Sequence, residues 1–189
     1  MSEFILLLQQ HSWLYLLLVF VFSLVIGSFL NVVIYRTPLM MEQQWKSECQ
    51  LLLHPETVID NHESITLSSP ASRCPHCGHS IRWFENMPVI SWLLLKGKCS
   101  QCHNAISYRY PLVEIITAIL SVLVVMKFGV TRQALAGLAL TWTLVALTGI
   151  DFDTQLLPDR FTLPLAGLGL FVNAFGLFVS PTAAIFGYV

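Results

Sequence analysis

A long run of residues without any charge opens this sequence and limits what the chain can become. From Phe4 to Tyr35 there is no Asp, Glu, Lys or Arg. A helix needs about 20 apolar residues to cross the hydrocarbon core of a bilayer, and the run exceeds that length. The first three residues lack the positive charge that begins a cleaved signal peptide. The run therefore predicts a transmembrane helix over Trp13–Tyr35, which Pro38 is expected to end.

Apolar segments return in the last part of the chain. They predict a second span over 112–130, a third over 134–150, a fourth over 163–179 and a shorter segment over 182–189. Hydrophobic residues make up 55% of the chain and charged residues only 11%, against about 25% charged in soluble domains. We therefore expect an all-α polytopic membrane protein with a small polar insert. The expected divisions are a first helix in 1–36, the insert in 37–110 and further membrane helices in 111–189.

Lys and Arg are concentrated in the insert and at its edges, whereas the first 13 residues contain none. Because basic residues are enriched in cytoplasmic loops, this asymmetry predicts a cytoplasmic insert, with 151–160 on the same side. Lys127 and Arg132 would then flank an outer loop, against the rule. A net charge of −1 gives no electrostatic indication of a nucleic-acid partner, and we expect none. The expected surroundings are the lipid bilayer.

Four of the five cysteines form two Cys-x-x-Cys pairs, Cys74 with Cys77 and Cys99 with Cys102. Each pair can place two thiolates on one ion, and two pairs complete a tetrahedral site that suits Zn²⁺. Gly78 and Gly97 lie beside the pairs, where a positive φ is often needed. Because such a site has no open coordination position, we predict structural zinc in a small, cytoplasmic, zinc-ribbon-like insert. Two disulfides or free thiols are the alternatives, and a cytoplasmic location opposes the disulfides.

Three carboxylates follow the third predicted span, those of Asp151, Asp153 and Asp159. A charged side chain at the bilayer centre costs about 2.5–3.5 kcal/mol, so these groups must face water or protein. One interpretation is a solvated loop in which Asp159 caps the next helix. The other is that one carboxylate works with a second, one activating water while the other polarises a peptide carbonyl. Glu114 is the only acidic residue inside a predicted span.

A stripe of small and polar residues recurs at helical spacing in the first span, at Gly27, Ser28, Asn31 and Tyr35. Such residues let transmembrane helices approach closely and hydrogen-bond across their interface. The same pattern also suits the lining of a site. The sequence leaves both interpretations open.

Taken in order, these motifs resemble the type IV prepilin peptidases, bifunctional leader peptidases and N-methyltransferases. The resemblance runs through Gly27-Ser28-Phe29-Leu30-Asn31, Arg73-Cys74-Pro75-His76-Cys77, Asn86-Met87-Pro88, Arg109-Tyr110-Pro111 and Leu156-Leu157-Pro158-Asp159. It implies a multi-pass aspartic protease of the bacterial inner membrane. Such an enzyme cleaves the leader from prepilins and pseudopilins, then methylates the new N-terminal residue with S-adenosylmethionine. By motif position Asp151 is the first catalytic aspartate, with Asp153 and Asp159 as supporting neighbours.

The sequence also departs from the family pattern. The second aspartate of the family lies in a G-x-G-D motif beyond the Leu-Pro-Asp segment, and Gly187-Tyr188 does not match it. We therefore expect these 189 residues alone to lack proteolysis, because one aspartate cannot divide the acid and base roles. No glycine-rich dinucleotide fingerprint marks a cofactor site, so S-adenosylmethionine has no assigned residues. An inactive fragment and a membrane-anchored zinc-ribbon binding protein are the alternatives.

Overall fold

The computed structural model describes residues 12–53, 65–74 and 76–188. Within these residues the chain forms six α-helices and one short 3-10 turn, without a regular strand. The helices are α1 (Ser12–Leu53), α2 (Ile90–Leu94), α3 (Arg109–Phe128), α4 (Arg132–Thr154), α5 (Asp159–Ala174) and α6 (Pro181–Tyr188), and the 3-10 turn covers Trp83–Asn86. The expected all-α membrane architecture is confirmed.

Three of the described helices are long and apolar enough to cross a membrane, namely α1, α3 and α4. The fourth predicted span, over 163–179, does not reach this length, because α5 ends at Ala174. The Asn173 carboxamide oxygen accepts the backbone N–H groups of Phe178 and Val179 at 3.2 and 3.1 Å. A side chain that bonds nearby backbone groups competes with the helical pattern, and Gly176 turns the chain at a φ of 65°.

The prediction that Pro38 ends the first helix is wrong, since α1 continues through it. An interior proline removes one helical hydrogen bond, at about 3 kcal/mol, so other contacts must hold the chain helical here. The buried Arg36 donates to the Thr66 carbonyl at 2.8 Å and to the Pro70 carbonyl at 2.6 Å. Cys49 thus lies in the last part of α1. The division at residue 36 stays a prediction.

Helices α1, α3 and α4 pack together, and α1 makes its largest contact with α3. Their buried apolar side chains are Leu30, Val33 and Ile34 of α1, Ala118 and Val125 of α3, and Ala134, Ala146, Leu147 and Ile150 of α4. A Cβ atom placed on Gly27 would lie 2.7 Å from the Glu114 Cα. The absence of a side chain at Gly27 therefore lets the two backbones meet. This is the helix-packing interpretation of the small-residue stripe.

Replacing Gly27 by Leu is expected to destabilise the bundle, because the backbone of Glu114 cannot move aside as a flexible side chain does. Overpacking of this kind costs about 1–3 kcal/mol, which corresponds to roughly 2–4 °C of melting temperature per kcal/mol. Thermal unfolding of the detergent-solubilised protein measures the effect. Gly167→Leu is the matched control, because a Cβ there meets nothing within 4 Å. Equal melting temperatures for the two variants would contradict the close contact.

Contacts between the helices show which ends of the bundle lie together. Arg109, at the start of α3, forms an ion pair with Asp153, near the end of α4. At the opposite end, the Tyr15 hydroxyl donates to the Gly129 carbonyl at 3.5 Å. The end of the insert and the segment 151–160 therefore occupy the same end of the bundle, as the order of spans predicted.

Candidate metal centre and acidic site

The two Cys-x-x-Cys segments fold into matching turns. In each, the N–H of the first cysteine donates to the carbonyl five residues later, and its carbonyl accepts from the N–H four residues later. That fourth position has a positive φ in both turns, 71° at Gly78 and 56° at His103. Gly97 has a φ of 67°, so both predicted glycine conformations are confirmed. Isolated antiparallel bridges close the turns, Arg73 with Ser80 and Lys98 with Ala105.

The four thiols of these turns converge on one point. Their Sγ atoms all lie within 4.8 Å of one another. Two of these separations cross between the turns, 3.8 Å from Cys74 to Cys102 and 4.0 Å from Cys77 to Cys99. All four are free thiols, as is the exposed Cys49, which lies outside the cluster. The cluster is therefore close enough to bind one metal ion, and it contains no disulfide.

The clustered thiols differ in pKa because their hydrogen bonds and surroundings differ. The N–H groups of Cys77 and His76 lower the pKa of Cys74 to about 6. At Cys77 the N–H of His79 acts in the same direction, but desolvation and the neighbouring thiols together raise the pKa to about 11. Several thiolates this close repel one another, and an opposite charge between them favours their ionised form. The cluster is thus electrostatically suited to a divalent cation.

Glu85 and Trp92 tie the second cysteine turn to the rest of the insert. The Ser100 hydroxyl and the Arg82 N–H both donate to the Glu85 carboxylate, and these hydrogen bonds lower its pKa. The Arg82 bond measures 2.9 Å. From the other side, the Trp92 indole N–H donates to the Ile106 carbonyl at 3.3 Å. These side-chain hydrogen bonds therefore support the second cysteine turn.

Asp151 lies in the last turn of α4, where that helix leaves the bundle. Its side chain is exposed, and within the part of the chain that the structure describes its carboxylate has no hydrogen bond or ion pair. Its backbone carbonyl accepts the N–H of Gln155 at 2.8 Å. Gln155 takes a left-handed conformation and ends the helix. The residue predicted to be catalytic is thus free to meet another group.

Asp153, two residues further on, is already paired. Arg109 donates through Nη1 to Oδ1 and through Nη2 to Oδ2, each at 2.7 Å. The Arg109 Nη2 also reaches the Gly149 carbonyl at 3.4 Å. Because the side chains are 40% and 32% exposed, this pair contributes at most about 1 kcal/mol of stability. Its two-point geometry holds the end of α4 beside the start of α3.

Asp159 does not take the N-cap position that one interpretation assigned to it. Pro158 occupies that position, and Asp159 is the first residue of α5. As the structure describes it, the start of α5 has no side-chain capping bond. Proline needs no hydrogen bond for its own nitrogen and is buried here. The exposed Asp159 carboxylate still favours the helix through its dipole.

Glu114 is a structural residue whose role the sequence did not reveal, although an acidic residue inside an apolar span was the signal. It is buried, and its Oε2 accepts the backbone N–H of Val89 at 2.7 Å. The Ser28 hydroxyl also hydrogen-bonds to this carboxylate. Val89 has a φ of 55°, which a β-branched residue rarely adopts. Glu114 therefore joins α1 and α3 to the insert.

Replacing Glu114 by Ala is expected to release α2 from α3, because the Val89 N–H loses its acceptor. An unsatisfied buried donor costs about 1–3 kcal/mol. Hydrogen exchange across α2 should become faster, whereas Glu114→Gln, which retains an acceptor oxygen, should stay near the wild-type rate. Equally slow exchange in both variants would show that the bond does not hold the insert.

Two known protein families match this chain, one over the part that contains the cysteine pairs and one over the part that contains Asp151. Residues 21–128 match the family described as Bacterial Peptidase A24 N-terminal domain, and residues 138–189 match the Type IV leader peptidase family. Three relatives are each named prepilin leader peptidase/N-methyltransferase. The protein of Aeromonas hydrophila is 51% identical over 175 residues, 93% of this chain and 60% of its own. That of Pseudomonas aeruginosa is 50% identical over 184 residues, with coverages of 96% and 62%. That of Neisseria gonorrhoeae is 47% identical over 169 residues, with coverages of 89% and 59%.

No solved structure matches the chain. The chain spans less than two thirds of the length of these curated relatives. The first family match contains both cysteine pairs and Glu114, and the second contains Asp151. Because the first match covers more than half of the 189 residues, the chain belongs to the bacterial A24 peptidases, the type IV leader peptidase family.

Proposed function

We propose that this protein removes the leader peptide from type IV prepilins and pseudopilins and then methylates the new N-terminal residue. The observation that carries the proposal is the identity of about half of all residues to relatives that bear both activities in their name. The free, exposed carboxylate of Asp151 at the end of a membrane helix supports it. A substrate segment that leaves the bilayer at this end of the bundle would meet that carboxylate.

Asp151 is the proposed first member of the catalytic aspartate pair. Two close carboxylates share one proton, so one takes a proton from the attacking water while the other polarises the scissile carbonyl. Asp153 and Glu114 do not suit the second role. Asp153 is paired with Arg109, and Glu114 accepts the Val89 N–H. In the family pattern the second aspartate comes from a G-x-G-D segment that follows the Leu-Pro-Asp motif.

The proposed metal is structural zinc, held by Cys74, Cys77, Cys99 and Cys102. Zinc–thiolate bonds of about 2.3 Å in a tetrahedron separate the sulfur atoms by about 3.8 Å. The observed separations of 3.8 and 4.0 Å fit this geometry. Bound zinc supplies the insert with a cross-link between its two turns, and four thiolate ligands leave no open position for substrate. The methyl donor is S-adenosylmethionine, as the N-methyltransferase name of the relatives implies.

Mass spectrometry of the pilin N-terminus tests the proposed function. The protein, expressed from its own gene, is placed with a prepilin in cells that lack a prepilin peptidase. We expect a mature pilin that lacks its leader and carries one added methyl group. Full-length prepilin in these cells, alongside correct processing by the Aeromonas hydrophila relative, would overturn the proposal.

We also propose a location in the bacterial inner membrane with the cysteine insert in the cytoplasm. The basic residues of the insert support this orientation. A membrane-impermeant maleimide should leave the exposed Cys49 unmodified in intact spheroplasts and modify it after lysis. A Cys49→Ser variant identifies the signal of this thiol. Modification in intact spheroplasts would place the insert on the outer side instead.

A further inference from the structure

An apolar surface on the insert faces away from the protein. Its residues are Met87, Ile90, Leu93 and Leu94, which we call the α2 surface. They are 44%, 51%, 61% and 78% exposed. Their spacing repeats every three or four residues, so they share one side of α2 and the turn that leads into it. A group of large apolar side chains gathered on one exposed side generally marks an interaction surface.

The attachment of α2 to α3 determines where the α2 surface lies relative to the membrane span. The Val89 N–H, at the beginning of α2, bonds to the Glu114 carboxylate at 2.7 Å. Glu114 lies five residues after Arg109, where α3 begins, which is about 7.5 Å along the helix axis. The α2 surface thus lies beside the first turns of a membrane span. Outward-facing side chains of those turns, such as Leu112 and Ile116, are also apolar and exposed.

Two lysines lie two and four residues after Leu94. Lys96 and Lys98 are exposed, and neither has an ion pair within the described ranges 12–53, 65–74 and 76–188. An apolar side next to lysines is the pattern of segments that lie in the membrane interface. Each lysine near an anionic bilayer surface contributes about 1 kcal/mol of attraction.

We propose that the α2 surface is inserted in the interfacial region of the bilayer, with Lys96 and Lys98 on the phosphates of anionic lipids. The cysteine insert then lies on the membrane surface instead of standing free in water. Continuity with the lipid-facing side of α3 favours lipid over a second protein as the occupant. The proposal depends on the membrane spans and is independent of the peptidase and methyltransferase activities.

Photo-crosslinking to lipid tests the proposal. The photoreactive residue p-benzoylphenylalanine replaces Leu94 in the full chain, which is reconstituted in nanodiscs of phosphatidylcholine and phosphatidylglycerol and irradiated. We expect phospholipid adducts by mass spectrometry, as at Leu123, an exposed residue within α3. Gln50 is the negative control, because it lies on α1 about 21 Å beyond Arg36 along the helix axis. Adducts at Leu94 no more frequent than at Gln50, or crosslinks to a second chain instead of lipid, would overturn it.

A second arm tests the role of the lysines. The double variant Lys96→Glu, Lys98→Glu should reduce the yield of lipid adducts at Leu94 at least about twofold. Nanodiscs without phosphatidylglycerol should have the same effect on the protein with both lysines intact. Zinc content and melting temperature verify that each variant is folded. Yields that depend on neither the lysines nor the anionic lipid would refute the headgroup contact.

Discussion

Asp151→Asn is expected to stop leader cleavage, lowering the rate by about 10²- to 10⁴-fold, the usual contribution of a general acid or base. Asparagine preserves the size of the side chain but cannot take up or release the proton that the aspartate pair must share. The carboxylate has no hydrogen bond or ion pair within the described residues, so the change should leave stability nearly unaltered. The rate is measured as the fraction of prepilin converted over time in membranes that contain the protein expressed from its own gene.

Asp153→Asn is the matched comparison on the same helix turn. It removes one partner of the ion pair with Arg109 and should slow cleavage by less than Asp151→Asn. If the pair acts by positioning, the exchanged variant Arg109→Asp, Asp153→Arg should recover part of the loss. An Asp151→Asn protein that cleaves at the rate of the Asp153→Asn protein would remove Asp151 from the catalytic pair.

The Asp151→Asn variant also separates the two proposed activities. Methyl transfer needs the free N-terminus that cleavage creates, so Asp151→Asn membranes should give no methylated product from prepilin. When they receive pilin that has already been cleaved, labelled methyl groups from S-adenosylmethionine should be incorporated at the wild-type level. Loss of both activities would instead indicate that the substitution disturbs the whole protein.

Cys99→Ser is expected to eliminate stoichiometric metal binding and to unfold the insert. Loss of one thiolate from a four-cysteine site should reduce zinc affinity more than the roughly 10- to 100-fold caused by losing a supporting residue. Structural zinc contributes about 10–16 kcal/mol in zinc-finger peptides, and the described residues of the insert include few buried apolar side chains to replace it. Elemental analysis should find one zinc per wild-type chain and far less in the variant.

Cys49→Ser is the control, because Cys49 is exposed and lies outside the cluster. It should retain one zinc per chain and the protease resistance of residues 65–106. The helical circular dichroism of Cys99→Ser should remain close to wild type, since the four clustered cysteines lie outside α1, α3 and α4. Full zinc occupancy in Cys99→Ser would show that the cluster is not the binding site.

Local patterns were sufficient for much of this protein. The uncharged run predicts the first span because helix length and apolarity are properties of one segment. The two Cys-x-x-Cys pairs predict the metal cluster because two residues at that spacing must share a tight turn. The position of Asp151 at the end of a span follows in the same way from the length and apolarity of the segment before it. These features need no knowledge of which segments meet.

Features that depend on two distant segments could not be predicted in this way. Pro38 predicts a helix end by itself, and only the bonds from Arg36 to the chain 30 and 34 residues later show why the helix continues. The pairing of Asp153 with Arg109 and of Glu114 with Val89 likewise joins residues far apart in sequence.

The sequence alone therefore determined the class of the protein, three of its long apolar helices and its cysteine cluster, because each depends on spacing within one or two short segments. The tertiary structure alone decided which of the acidic residues in and after the spans are paired. Coulomb attraction and hydrogen bonding act over a few ångströms, so a carboxylate is paired only when folding brings a donor to it. Folding does so for Asp153 and Glu114, and within the described residues it leaves the exposed carboxylates of Asp151 and Asp159 without a hydrogen bond or ion pair.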